Sequence, residues 1–324
     1  MTAETHSSGT LEQKRKRFRA AQLDWASLLG TGATGFATIL IVAILAVILG
    51  NIAINGVPYI SWRFVSTGTA TDMFDVNKAG ILPMIFGTTV RVILMTLFVL
   101  PMGVLTAIYL TEYARIHSPF TRIIRGAVSN LAGVPSIVFG LFGAGFFVRF
   151  IGGGMDSAFH PAGATVWGQP ALLWASATLA VMTLPVVIIA TEESLKAIPQ
   201  GLREASLALG ATKLETIIKI VLPQAVPGIM TGAILAISRA AGEVAPILFT
   251  GAAYYMADLP KSLHDQFMDL GYHVFILSTQ SPNVDKTRPL LYATVLVLLC
   301  LTFMLNIVAI FVRANMRKKA RMLH

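Results

Sequence analysis

Three ionisable side chains lie well inside long apolar runs: Arg91, Arg239 and Glu243. A charge at the centre of a bilayer costs roughly 2.5–3.5 kcal/mol on insertion scales, so each needs a partner, a water-filled cavity or a function. Arg239 and Glu243 are four residues apart, one helical turn, and can pair along one helix face. Arg91 and Glu243 each stand about ten residues from one end of their own runs, at matching depth. A second pairing, Arg91 with Glu243, would leave Arg239 free for an anion. Both pairings stay open. Two arginines against one carboxylate leave an excess positive charge, which suits an anionic solute or an acidic residue of a partner subunit. A guanidinium can grip an oxyanion with two parallel N–H donors, which a lysine cannot. The alternative is an ionic cluster that only fixes helix packing. Pro246 cannot donate to the carbonyl of Gly242 and predicts a kink beside Glu243.

Weaker polar candidates are Thr88, Thr89, Asn130 and Ser136 near the starts of apolar runs, where such groups either face a pathway or satisfy helix backbone. Glu192 and Glu193, at the end of the fourth run, are expected to face water or a partner. The lone cysteine, Cys300, excludes a disulfide framework and a cysteine metal site. No spaced His, Cys or carboxylate cluster suits a catalytic or metal centre, so neither is expected. Gly30-Thr31-Gly32-Ala33-Thr34-Gly35 matches G-x-G-x-x-G. It has no preceding strand and no acidic residue at the right distance, so it reads as small-residue helix packing. No Walker A sequence is present.

The elements that must hold these charges are membrane helices. The chain has 324 residues, 55% of them hydrophobic and 13% charged, with mean hydropathy +0.71. That composition is a polytopic membrane protein. Six runs are long enough to cross a hydrocarbon core: residues 28–54, 81–110, 127–150, 171–190, 224–253 and 289–312. With the N-terminus cytoplasmic, the inner segments hold seventeen Lys and Arg and the outer ones six. Both termini and the 191–223 loop are then inside. The net charge of +9 is thereby a topology signal rather than a nucleic-acid footprint. Lys14 to Arg19 precede a run too long for a signal-peptide core, so no cleavable signal is expected. The expected layout is a basic segment 1–27, a six-helix transmembrane domain 28–312 and a basic tail 313–324. Trp25 is placed as an interfacial anchor.

One polar stretch interrupts the apolar runs. Leu202, Ala205 and Leu209 recur at helical spacing, Pro199 precedes them and Gly210 follows. Thr212 with Glu215 three residues on predicts a capping box for a second helix that reaches Leu222-Pro223. The same residues carry a family resemblance. Glu204-Ala205-Ser206, then Gly210, then Ile220-Val221-Leu222-Pro223 keep every spacing of the Glu-Ala-Ala, Gly, Ile-x-Leu-Pro loop of ABC-importer permeases. Ser206 for the second Ala is the one departure. Farther on, residues 238–250 (Ser238-Arg239-Ala240-Ala241-Gly242-Glu243 to Phe249-Thr250) resemble the fifth-span segment of phosphate-specific importer permeases, A-type subunits. So does the segment from Asp265-Gln266 to Gln280-Ser281-Pro282. The resemblance covers most of residues 80–313.

The resemblance implies an all-α, six-helix membrane protein of the type I ABC importer permease fold in a bacterial inner membrane. It implies that Arg203, Glu204, Ala205, Ser206 and Gly210 form a coupling helix seated in a partner ATPase. It places Arg239 and Glu243 on the phosphate pathway; Arg91 joins them by depth alone. Partners would be a homologous C-type permease, two ATP-binding subunits that hold ATP and Mg, and an extracytoplasmic phosphate-binding protein. This chain itself would bind no cofactor. Other cargo for the same machine, or an ion-coupled carrier that uses no ATP, are the rival readings.

Two further expectations concern packing. Gly228 and Gly232 form a small-xxx-small pair suited to close helix contact. In the outer loops, residues 55–80 carry Trp62, Arg63, Asp72 and Asp75. Residues 254–288 are read as holding a short helix from Pro260 to Gly271, with Leu263, Phe267 and Leu270 on one face. These loops fit either a docking site for a binding protein or a cover over the outer mouth.

Overall fold

A computed structural model describes residues 25–69, 73–75, 78–115, 118–160 and 163–322. The basic stretch Lys14 to Arg19, Asp72 and the side chains after Met316 lie outside the described residues. The described chain is helical, with no strand beyond a single bridge between Ala252 and Phe267. The chain divides into two compact units, Met1–Ala53 and Ile54–His324. In the first, the described residues belong to one helix, α1 (Trp25–Gly56), which contains Gly30, Gly32 and Gly35.

The second unit holds α2 (Trp62–Ser66), α3 (Leu82–Ile108), α4 (Pro119–Ala132), α5 (Ser136–Gly143), α6 (Gly153–Phe159), α7 (Leu172–Lys196), α8 (Gln200–Ala208), α9 (Lys213–Thr216), α10 (Leu222–Gly242), α11 (Leu270–Thr279) and α12 (Val284–Met322). Short π-helical turns join α5 to α6 and α9 to α10, and extend α3 to Tyr113. Among the described residues, six stretches are long and apolar enough to cross a membrane: Ser27–Tyr59, Leu82–Tyr113, Ser136–Phe159, Leu172–Lys196, Lys213–Gly242 and Val284–Met316.

The centre is α7, flanked by α3 and α10, with α12 against α10 and α11. Val92, Met95 and Val99 of α3 meet Leu179, Met182 and Val187 of α7 and Ala236, Ala240 and Ala241 of α10. Helices gain little from apolar burial when the alternative is lipid, so close van der Waals approach has to hold them. Gly228 and Gly232 provide it: a Cβ on Gly228 would overlap the Ser194 side chain, and one on Gly232 would stand 2.9 Å from the Ala190 methyl. Ser194 also donates to the Ala225 carbonyl at 2.9 Å. The expected small-residue contact is therefore the α7–α10 seam.

Three elements differ from the sequence expectation. Residues 127–132 belong to α4, a separate helix, and the third crossing begins at Ser136, because Gly133-Val134-Pro135 breaks the run. The fifth crossing starts earlier, at Lys213, and stops at Gly242 instead of running to residue 253. The helix expected over Pro260–Gly271 is absent; a helix begins at Leu270, where the expected one was to end. Gly271 there is not a terminator but an amide donor to Asp269, the N-cap, whose Oδ1 accepts from Gly271 and Tyr272.

Candidate functional site: two helix ends joined by Arg91

α10 ends because Glu243 takes an extended conformation (φ −80°, ψ 128°) and Pro246 has no N–H for the Gly242 carbonyl. The last carbonyls of α10 therefore lack their usual partners. Arg91, from the middle of α3, supplies them. Its Nη1 donates to Ala240 O at 3.0 Å and to Glu243 O at 3.4 Å, and its Nη2 to Ala241 O at 3.4 Å. A cation at the carbonyl end of a helix also meets the negative end of its dipole. Nη2 stands 2.8 Å from Asp269 Oδ2, and neither side chain is exposed. The same Oδ2 accepts from Thr88 Oγ1 at 2.9 Å, and Thr88 in turn accepts from the Leu270 amide at 3.0 Å. Arg91 thus bridges the C-terminus of α10 and the N-terminus of α11. The junction lies nine residues from the Leu82 end of α3, about 14 Å of helix.

Arg239 lies in the last turn of α10. Its Nε stands 3.5 Å from Glu243 Oε1, with side chains 40% and 22% exposed. Ser238 beside it donates to Asn306 Oδ1 of α12 at 2.9 Å. Of the two pairings left open by the sequence, the geometry forms Arg239 with Glu243. Arg91 touches Glu243 only through its backbone carbonyl. The expected excess of positive charge is also corrected: Asp269 makes the cluster two arginines and two carboxylates. The sequence reading placed Asp269 within the short outer-loop helix expected over Pro260–Gly271, yet it reaches the depth of Arg91 because the chain re-enters after α10. An Asp immediately before the largely apolar stretch 270–277 is an N-cap signal that would have found it. Thr88 joins this cluster. Thr89 bonds its own helix at Ile85 O, 2.7 Å away.

The polar stretch after α7 folds as expected. Pro199 precedes α8, and Thr212 with Glu215 forms the capping box of α9. Gly210 has φ +87°, and its amide reaches Leu207 O while Ala211 N reaches Ser206 O. This pair of bonds is the Schellman ending, which needs a left-handed residue at that position. Nothing on α8 is buried; Leu209 is 89% exposed, with Leu202 and Leu207 also outside. Glu204 and Ala205 are exposed as well, and Ser206 shares a 2.9 Å hydrogen bond with Thr216. Arg203 differs: it turns inward to Glu112, 2.8 Å away, with 11% and 9% of the side chains exposed. Glu192 also faces inward, holding Arg125 at 2.8 Å and Lys196 at 2.9 Å.

The described residues form an all-helical bundle of the type I ABC importer permease fold. A chain in the crystal structure of a bacterial alginate ABC transporter in complex with its alginate-bound periplasmic protein superposes with TM-score 0.58 at 14% identity, covering 90% of this chain and 96% of that one. Residues 99–322 match the family "Binding-protein-dependent transport system inner membrane component", and the chain belongs to that family. It is a multi-pass membrane transport subunit, of a family whose members work with an ATPase and a solute-binding protein. Two relatives are the probable ABC transporter permease protein YqgI of Bacillus subtilis and the phosphate transport system permease protein PstA 1 of Mycobacterium tuberculosis. The first is 34% identical over 222 residues, covering 68% of this chain and 69% of that protein. The second is 30% identical over 261 residues, covering 81% and 77%.

Proposed function

We propose that this chain is the A-type permease subunit of an ATP-driven importer of inorganic phosphate, with Arg239 and Glu243 on the solute pathway. The observation that carries the reading is the contrast between the two arginines. Arg91 is wholly enclosed and spent on Asp269 and three carbonyls. Arg239 is held by one contact at 3.5 Å and its side chain is 40% exposed. An open arginine–carboxylate pair at membrane depth is too costly against lipid. It suits a water-filled path shared with a second, homologous permease. A phosphate arriving there can take the Nη fork of Arg239. Glu243 then loses its partner, and its repulsion toward the anion helps release. Phosphate as the cargo rests on the likeness to relatives named as phosphate permeases.

ATP and Mg belong to a partner ATPase in this reading, and the exposed Leu202, Leu209, Glu204 and Ala205 of α8 are the surface that enters it. Both termini and α8 are cytoplasmic, following the distribution of Lys and Arg. Arg91 is assigned to the frame of the site rather than to the path.

The test is radiolabelled phosphate uptake into liposomes holding this chain, its C-type partner and the ATPase, with phosphate-binding protein outside. Uptake that needs internal ATP and falls in Arg239→Gln supports the reading. Uptake without ATP would replace it with an ion-coupled carrier. ATP-dependent uptake of another oxyanion, with phosphate ignored, would keep the machine and change the cargo.

A further inference from the structure

α3 carries two clamps. At one, nine residues in from Leu82, Arg91 holds the carbonyls that finish α10. At the other, Glu112 in the π-turn extending α3 receives Arg203 from α8, Nη2 to Oε1 at 2.8 Å and Nε to Oε1 at 3.2 Å. The remaining donors of Arg203 reach Ile198 O and Leu195 O, each at 2.8 Å, which are last-turn carbonyls of α7 and its exit. Lys213, the first residue of α9, donates to the Glu112 carbonyl and lies 4.8 Å from the centre of the Tyr113 ring. Beneath this junction Ala107, Leu110, Leu195, Ile198, Val221 and Ala225 are packed together. The twenty-one residues from Arg91 to Glu112 make about 32 Å of helix.

We propose that Glu112 is a positioning residue for energy coupling, and that α3 is the rod that carries motion of α8 to the Arg239 site. The inference rests on the importer reading. α8 has no buried residue of its own and ends at the left-handed Gly210. Without the Glu112 carboxylate, Arg203 keeps only carbonyl bonds to α7, and a push on α8 is taken up at its joints. With the clamp closed, α8 and the Glu112 end of α3 must move together. Because Arg91 is enclosed and both of its Nη groups are held, by Asp269 and the α10 carbonyls, displacement of α3 pulls the last turn of α10, and with it Arg239 relative to Glu243. A physical line of this kind is demonstrated only when both ends bias the same equilibrium, so the test is a coupling measurement.

The experiment uses the reconstituted complex of this chain, partner permease, ATPase and phosphate-binding protein. Phosphate imported per ATP hydrolysed is measured at equal amounts of assembled complex for wild type, Glu112→Gln, Arg203→Gln and the double variant. We expect the ratio to fall at least fivefold in Glu112→Gln, and the double variant to be no worse than the poorer single one, since the two residues act as one clamp. An unchanged ratio in Glu112→Gln, or strictly multiplicative losses in the double variant, would overturn the inference. Should Glu112→Gln not assemble, Glu112→Asp, which withdraws the carboxylate by one methylene, gives the same readout under the same criteria. Wild type that imports no phosphate with ATP would instead sink the importer reading and is seen separately.

Discussion

Asp269 Oδ2 stands 2.8 Å from Arg91 Nη2, both side chains without exposure, and the two residues are 178 positions apart in the chain. The pair closes the gap between a helix that stops inside the membrane and one that starts there. Discontinuous helices leave backbone groups unmet in a medium without water, and membrane proteins tolerate them only where other groups satisfy the freed donors and acceptors. Arg91 serves the carbonyl end and Asp269 the amide end, while their opposite charges cancel.

Removing one partner of this pair should cost more than removing both. Asp269→Ala strands a buried guanidinium and frees the Gly271 and Tyr272 amides, and a loss of about 3–5 kcal/mol is expected. The double variant Arg91→Met with Asp269→Leu should recover part of it. Thermal unfolding of the purified complex in detergent ranks the three proteins.

Arg239→Gln should behave in the opposite way. The pair with Glu243 is open, so its loss should change stability by less than about 1 kcal/mol. Uptake should nevertheless fall, since a charge-assisted hydrogen bond to substrate is worth about 1.5–3 kcal/mol, roughly tenfold or more in affinity. Arg239→Lys keeps the charge and loses the fork, so a raised KM with a smaller change in kcat is expected.

The seam between α7 and α10 allows a paired test. Gly228→Leu must push Ser194 aside and should cost about 1–3 kcal/mol by overpacking. Gly126→Ala, inside α4 with nothing within 4 Å of the added methyl, should gain about 0.5–1 kcal/mol from helix propensity. Midpoints of thermal unfolding of the two variants should move in opposite directions.

Gly210→Ala places a Cβ in the left-handed region at φ +87° and should cost about 1–2 kcal/mol at the end of α8. Amide exchange in α8 is expected to quicken roughly five- to thirtyfold, measured by mass spectrometry of peptides covering 200–212, while peptides of α7 stay unchanged.

Local chemistry was legible in the linear chain. Six apolar crossings follow from hydropathy because lipid forces each of them to be long and continuous. The end of α8 at Gly210, the Thr212–Glu215 box and the Gly228–Gly232 seam depend on residues within one or two helical turns, so spacing alone determined them. The pairing of Arg239 with Glu243, one turn away, was also within reach. The tertiary structure decided which charges are spent and which stay open. Asp269 and Glu112 sit at the ends of apolar runs, where a carboxylate normally meets water, and nothing local says that an arginine 178 or 91 positions away will reach them. Helix continuity across 243–269 was equally a tertiary matter. A break inside the membrane becomes affordable only when Arg91 arrives from α3, because the groups that satisfy the broken ends come from another helix.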